Sequence, residues 1–288
     1  MKKIYLILTL GLFAFNSFAQ KLPDVQEVNM PAPASIKIDG KATEWNDTFA
    51  AENKRTELFY NIANDDKNIY VIIKSANSAV VNKIMLGGIT FTVNAQGKKR
   101  EKDASSLTYP VINRANRQQR TGGGQGQARQ QGGGQGGFQN RAQMSTQQRD
   151  SIALVQRKTQ LATVKEIKVS GFKAITDSLI SIYNEYGVKA VASFDQKGAF
   201  VYELAIPLNI LELSTSSTKE FVYQIKLNGL SSMNFGGGGG GNFGGGGGNF
   251  GGGNRGGNGG GGNFGGGGGG QDLMSPTDFW AKYSFQKK

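Results

Sequence analysis

VKAVASFDQKGAFVYELAIP, residues 188–207, is the stretch on which the fold turns. Four turn-forming residues, Asp195-Gln196-Lys197-Gly198, separate two apolar-rich runs, Val188–Phe194 and Phe200–Ile206, which predicts a β-hairpin with the polar tetrad at its tip. Side chains alternate across a strand, so Phe200, Tyr202, Leu204 and Ile206 share one face and Glu203 lies on the other. That parity puts Glu203 either in solvent or on a concave binding face. Pro207 closes the run and starts a short turn through Leu211.

The same period-two signal recurs on both sides of the hairpin. Ile89, Phe91 and Val93 alternate with polar residues, as do Phe221, Tyr223, Ile225 and Leu227, so each run has one buried and one wet face. Ile69–Ile73 is apolar on both sides and predicts a central strand. Ile36–Ile38, Glu57–Ile62, Val164–Val169, Ser178–Tyr183 and Phe279–Phe285 complete a set of about nine or ten short strands. Such a set predicts an all-β fold, an antiparallel, jelly-roll-like sandwich. Helix is sparse: Thr146 to about Thr163 has helical composition, and Thr43-Glu44-Trp45 reads as a single turn.

Two low-complexity tracts interrupt this pattern, at about residues 113–148 (Gly, Gln, Arg) and 234–270 (Asn-Phe pairs before Gly runs). Neither can bury enough apolar surface to offset the entropy of ordering, so both are expected to be disordered insertions in one domain spanning residues 20–288.

Residues 1–19 read as a secretory signal peptide. Lys2 and Lys3 form its basic end, Ile4–Phe15 its apolar stretch, and Ser17-Phe18-Ala19 its small-residue cleavage site. About a dozen apolar residues fall short of the roughly twenty a membrane helix needs, so no transmembrane anchor is expected after cleavage. The expected location is periplasmic or extracellular. The formal charge of +12 is unevenly spread: between Lys98 and Lys158 about twelve Lys and Arg stand against three Asp and Glu. This basic segment could contact polyanions, although export and the lack of a stacking platform argue against nucleic acid. With no Cys and no His, thiolate metals, disulfides and every His-dependent hydrolytic mechanism are excluded. No enzyme is expected, and no cofactor.

Three segments carry a resemblance to a known family. Ile36-Lys37-Ile38-Asp39-Gly40 with Glu44-Trp45 resembles the "IDG…EW" opening of family 9 carbohydrate-binding modules and their DOMON-like relatives. Asp65-Asp66-Lys67-Asn68-Ile69-Tyr70-Val71 is similar to their second hairpin, and Phe200-Val201-Tyr202-Glu203-Leu204-Ala205-Ile206-Pro207 to their late "Y-x-E-x-A-I-P" strand. The resemblance implies a non-catalytic module that binds a polysaccharide or cell-surface glycan through exposed aromatic rings. It implies that Asp39 and Gly40 form a tight turn and Trp45 plugs the sandwich. Asp65 and Asp66 are then hairpin residues or, alternatively, calcium contacts, since that ion takes several carboxylate and carbonyl oxygens. Trp280, opposite in parity to Phe279, Ala281, Tyr283 and Phe285, is left as a sugar platform, with Glu203 and Tyr202 as further ligand contacts. The alternative is a structural or surface-interaction protein whose Gly-rich loops adhere through Phe and Arg.

Overall fold

The computed structural model describes residues 21–112, 145–216, 220–230 and 273–285. The proposed signal peptide and nearly all of both Gly-rich tracts lie outside the described residues. In chain order the described elements are β1 (Met30–Pro31), β2 (Ala51–Asn53), β3 (Leu58–Asn64), β4 (Asn68–Ser75), α1 (Ser78–Gly87), β5 (Ile89–Asn94), β6 (Ser105–Tyr109), α2 (Thr146–Ala162), β7 (Glu166–Ser170), β8 (Leu179–Ser181), β9 (Lys189–Phe194), β10 (Phe200–Pro207), β11 (Phe221–Leu227) and β12 (Thr277–Tyr283). A single 3-10 turn, Asn209–Leu211, follows β10.

The strands form two six-stranded sheets, and the protein is an all-β sandwich. The first runs β1-β3-β4-β10-β9, with β2 sharing the β3 edge; the second runs β12-β11-β5-β6-β7-β8. Pairing is antiparallel except between β1 and β3. The expected hairpin is β9–β10, with Phe194 opposite Phe200, and Asp195 Oδ1 accepts the Lys197 and Ala199 amides across its tip. β4 lies between β3 and β10, as its two-sided apolar run predicts.

Between the sheets, Leu58, Tyr60, Ile62, Val71, Tyr202 and Leu204 meet Phe91, Leu107, Val169, Phe221, Tyr223 and Ile225 in one apolar core. Large aromatic rings bury much area, but each tyrosine brings a hydroxyl that must be satisfied. Tyr60 and Tyr223 meet this need together, with hydroxyls 3.0 Å apart, and Tyr283 donates to Asn64 Oδ1 at 2.9 Å. Both contacts join one sheet to the other.

Five expectations are corrected. The polar faces of β5 and β11 are not wet: Thr92, Asn94 and Gln224 are buried, so both strands are closed on both sides. Ile36–Ile38 is not a strand: it lies over the outer face of the first sheet, where no ladder partner exists. Pro207 is the last residue of β10, opposite Asn68, and the 3-10 turn begins at Asn209. The closing strand runs from Thr277 to Tyr283 and not from Phe279 to Phe285, and Phe285 lies beyond it in the core. The helix α1 was not foreseen; it carries the chain from β4 in one sheet to β5 in the other. Its sequence logic is plain in retrospect, for Asn77 Oδ1 caps it by accepting the Ala79 amide at 2.8 Å, and Val80, Val81, Ile84 and Met85 recur at helical spacing.

The turn between β3 and β4 is built on Asp65. Its carboxylate accepts the Lys67 and Asn68 amides at 2.7 Å each and the Tyr70 hydroxyl at 2.7 Å. Partial burial pushes this carboxyl up, but the hydrogen bonds outweigh it and hold it below the ordinary 3.8. Asp65→Asn should therefore cost about 1 kcal/mol near neutral pH. Because a depressed carboxyl contributes stability above its unfolded value and loses it as pH falls through the folded one, the gap between the two proteins should close below about pH 4 in urea titrations.

Candidate functional site

Most sheet surfaces facing away from a core carry polar residues for solvent. On the first sheet those residues bind a covering segment instead. Outward positions run in a row from Asn61 through Ile72 and Glu203 to Val191. Residues 30–49 cross this face, and Trp45, Ile36, Ile38 and Phe49 pack there against Tyr70, Ile72, Val201 and Ala205 in a second apolar cluster.

Glu203 is 0% exposed at the centre of that layer. Its Oε2 accepts the Asp39 amide at 2.9 Å and the Gly40 amide at 2.8 Å, while Oε1 accepts Trp45 Nε1 at 3.2 Å. Burial pushes its carboxyl above the ordinary 4.5, and these three donors offset part of that rise. Other outward residues hold the same segment. Asn61 accepts the Ala50 amide and donates to Thr48 O, Ser193 donates to Gly40 O, and Lys74 bridges Asp47 at 2.7 Å and Asp195 at 3.0 Å. Gly40 has φ of +79°, and a Cβ there would stand 3.1 Å from the Ser193 Cβ, so both backbone and space call for glycine. Trp45 is buried, as expected of a plug.

The expected ligand contacts do not converge. Glu203 is sealed beneath the covering segment, which corrects its placement in solvent or on a binding face. Tyr202 is fully buried on the opposite side of β10, in the core, where its hydroxyl has no partner among the described residues and burial raises its pKa far above the usual phenol value. A side chain closed off on all sides cannot meet a ligand. Trp280 does face outward, half-buried on the second sheet and opposite Gln224, whose Nε2 donates to Asp278 at 2.7 Å. It is far in the topology from either of the others, since β12 and β10 belong to different sheets. Asp65 is committed to its turn, and among the described residues no group of three or more acidic side chains could hold a metal ion.

A different feature emerges at the edge of the first sheet. Among the described residues strand β9 has a ladder partner, β10, on one side only, and a cleft of about 820 Å³ opens along it. Its walls come from β9, the C-terminal end of α2, the 182–188 loop and Ile38 of the covering segment. Helix α2 starts at a capping box, in which Ser145 Oγ accepts the Gln148 amide and Gln148 Oε1 accepts the Ser145 amide. Leu161, in its last turn, is buried and Leu154 packs half-buried against the core, so the C-terminal half of the helix lies against the sandwich and its end borders the cleft. The loop is shaped by Asn184, which donates to Ser181 O and Val188 O at 2.8 Å each. This bend turns Tyr183 outward, 82% exposed. Leu161, Val164, Val188 and Ala190 supply an apolar lining, and Lys158, Lys165 and Lys189 supply charge.

No family model matches the sequence, and no curated protein matches it. Among solved structures, the chain is similar to a family 9 carbohydrate-binding module from Caldicellulosiruptor kristjanssonii in complex with glucose. The TM-score is 0.31 at 9% identity, over 71% of this chain and 79% of that one. This is a weak similarity of fold.

No sequence pattern announces the cleft. Its lysines are scattered between residues 158 and 189 and come together only once β9 and α2 are placed. Glu203→Gln should lower stability by about 1–3 kcal/mol, because an amide NH2 replaces one acceptor facing N–H donors. A carboxyl raised in the folded state contributes most below its unfolded value and loses that contribution as pH rises. The deficit of the variant, read from denaturant melts, should therefore be widest near about pH 4 and narrower at neutrality.

Proposed function

We propose that the chain is an exported, non-catalytic carbohydrate-binding module whose sugar site is the cleft beside β9. The observation that carries this reading is Tyr183, a nearly fully exposed aromatic ring at the rim of a cleft with an apolar lining. A pyranose presents an apolar C–H face and a rim of hydroxyls. An exposed ring next to an apolar wall suits the face, and lysine ammonium groups and the backbone polar groups of an edge strand suit the hydroxyls. The ordered "IDG…EW", "DDKN" and "Y-x-E-x-A-I-P" segments support the same reading. So does the chemistry of the carboxylates: Glu203 is spent on holding the covering segment, and a chain without His lacks the commonest general base.

Pull-down on insoluble polysaccharides, preceded by a glycan array, tests the proposal. Tyr183→Ala should weaken binding about tenfold, the scale of one lost stacking contact, while Trp280→Ala leaves it unchanged. Loss in Trp280→Ala with none in Tyr183→Ala would move the site to the outer face of the second sheet and overturn the cleft. Failure of the wild type to bind any glycan would overturn the function.

A further inference from the structure

The charge around the cleft is one-sided. Lys158 stands on the last turns of α2, Lys165 in the link from α2 to β7, and Lys189 at the start of β9, so three separate elements each bring one ammonium group to the same opening. Among the described lining residues there is no Asp or Glu. None of the three lysines belongs to an ion pair among the described residues. Elsewhere on the molecule lysines pair readily: Lys74 with Asp47 and Asp195, Lys173 with Glu212, Lys282 with Glu220. Like charges gathered at one opening repel one another; exposed Glu185 stands in the 182–188 loop, but no acidic side chain among the lining residues offsets the repulsion. A bound anion would.

We infer that the cleft takes anionic polysaccharide, a chain of pyranose rings bearing carboxylate or sulfate groups. This rests on the carbohydrate reading of the same site and narrows it to a class of ligand. The apolar lining and Tyr183 meet the ring faces, while Lys158, Lys165 and Lys189 meet the acidic substituents. Lysine acts on either anion as a point charge and does not impose the planar, two-pronged geometry of arginine, so both kinds of substituent fit. The cleft is lined along the whole of β9, continuously from Gly187 to Phe194, and its charges lie on different walls, which suits a polymer better than a single small anion.

The test uses the full mature chain and three polymers: polygalacturonate, dextran sulfate and a neutral soluble glucan. Lys158→Gln, Lys165→Gln and Lys189→Gln are combined in one variant. A control variant combines Lys54→Gln, Lys67→Gln and Lys99→Gln, which are exposed, lie outside the cleft and remove the same charge. Thermal melts confirm that both fold. The cleft variant should lose about tenfold or more in affinity for an acidic polymer while the control loses little. Wild-type affinity should fall steeply between about 20 and 200 mM salt. Loss on polygalacturonate alone assigns the site to uronic acids, and equal loss on dextran sulfate assigns it to anionic sugars generally. Equal losses in the two variants would mean diffuse attraction to a basic protein and would overturn the inference. Tyr183-dependent binding of the neutral glucan, with no gain from acidic groups, would overturn it and leave the carbohydrate reading intact. If no polymer binds, both fall.

Discussion

One buried carboxylate sets the arrangement on which the rest of the structure depends. Glu203 sits on the outward face of a central strand, where an ionisable group without partners would be strongly disfavoured. It is tolerated because three N–H donors, two from the backbone of Asp39 and Gly40 and one from the Trp45 indole, converge on its two oxygens. The converse is equally important: those backbone amides belong to a segment with no sheet to join, and Glu203 gives them acceptors. A stretch with strand-like alternation thus becomes a lid of apolar side chains over the first sheet. Asn61, Lys74 and Ser193, all outward-facing, hold the same segment at other points. The first sheet is buried on both faces as a result, which is why β10 is closed from solvent along nearly its whole length.

That closure directs attention to the edge of the sheet. With the outer face covered and the inner face in the core, a ligand approaching this sheet meets β9. Ile38, immediately before the residues Glu203 holds, forms part of the cleft wall there. Gly40 ties the covering segment to β9 itself, its carbonyl accepting from Ser193, at a spot where a Cβ would crowd Val191 and Ser193. The cleft therefore has rigid support on one side from the Glu203 contacts and on the other from the Leu161 end of α2. Scaffold and candidate site share residues rather than occupying separate parts of the molecule.

Much of the architecture was legible in the sequence because alternating strands write their period into it. The β9–β10 hairpin, the central position of β4, the turn at Asp65 and the burial of Trp45 follow from local pattern, and so does the existence of β5 and β11, but the polar faces of those two strands, read as wet, are buried. The failures have a common physical cause. Ile36–Ile38 alternates like a strand, but its alternation records packing against a sheet face and not a ladder. The parity of Glu203 was right, yet parity alone does not say whether an outward face is wet or covered. Helix α1 is only ten residues long and its apolar positions also suit a buried strand. The cleft lay beyond local reading altogether, because it joins an edge strand to a helix end and a loop.

Amide hydrogen exchange at Asp39 and Gly40 tests most directly whether Glu203 holds the covering segment closed. These amides lie in no helix or strand, so without the carboxylate they should exchange as a loop does. Protection approaching that of the β10 amides, abolished in Glu203→Ala while the β11 amides stay protected, is the predicted result. Rapid exchange at both positions in the wild-type chain would contradict it, and with it the closed outer face from which the edge cleft takes its importance.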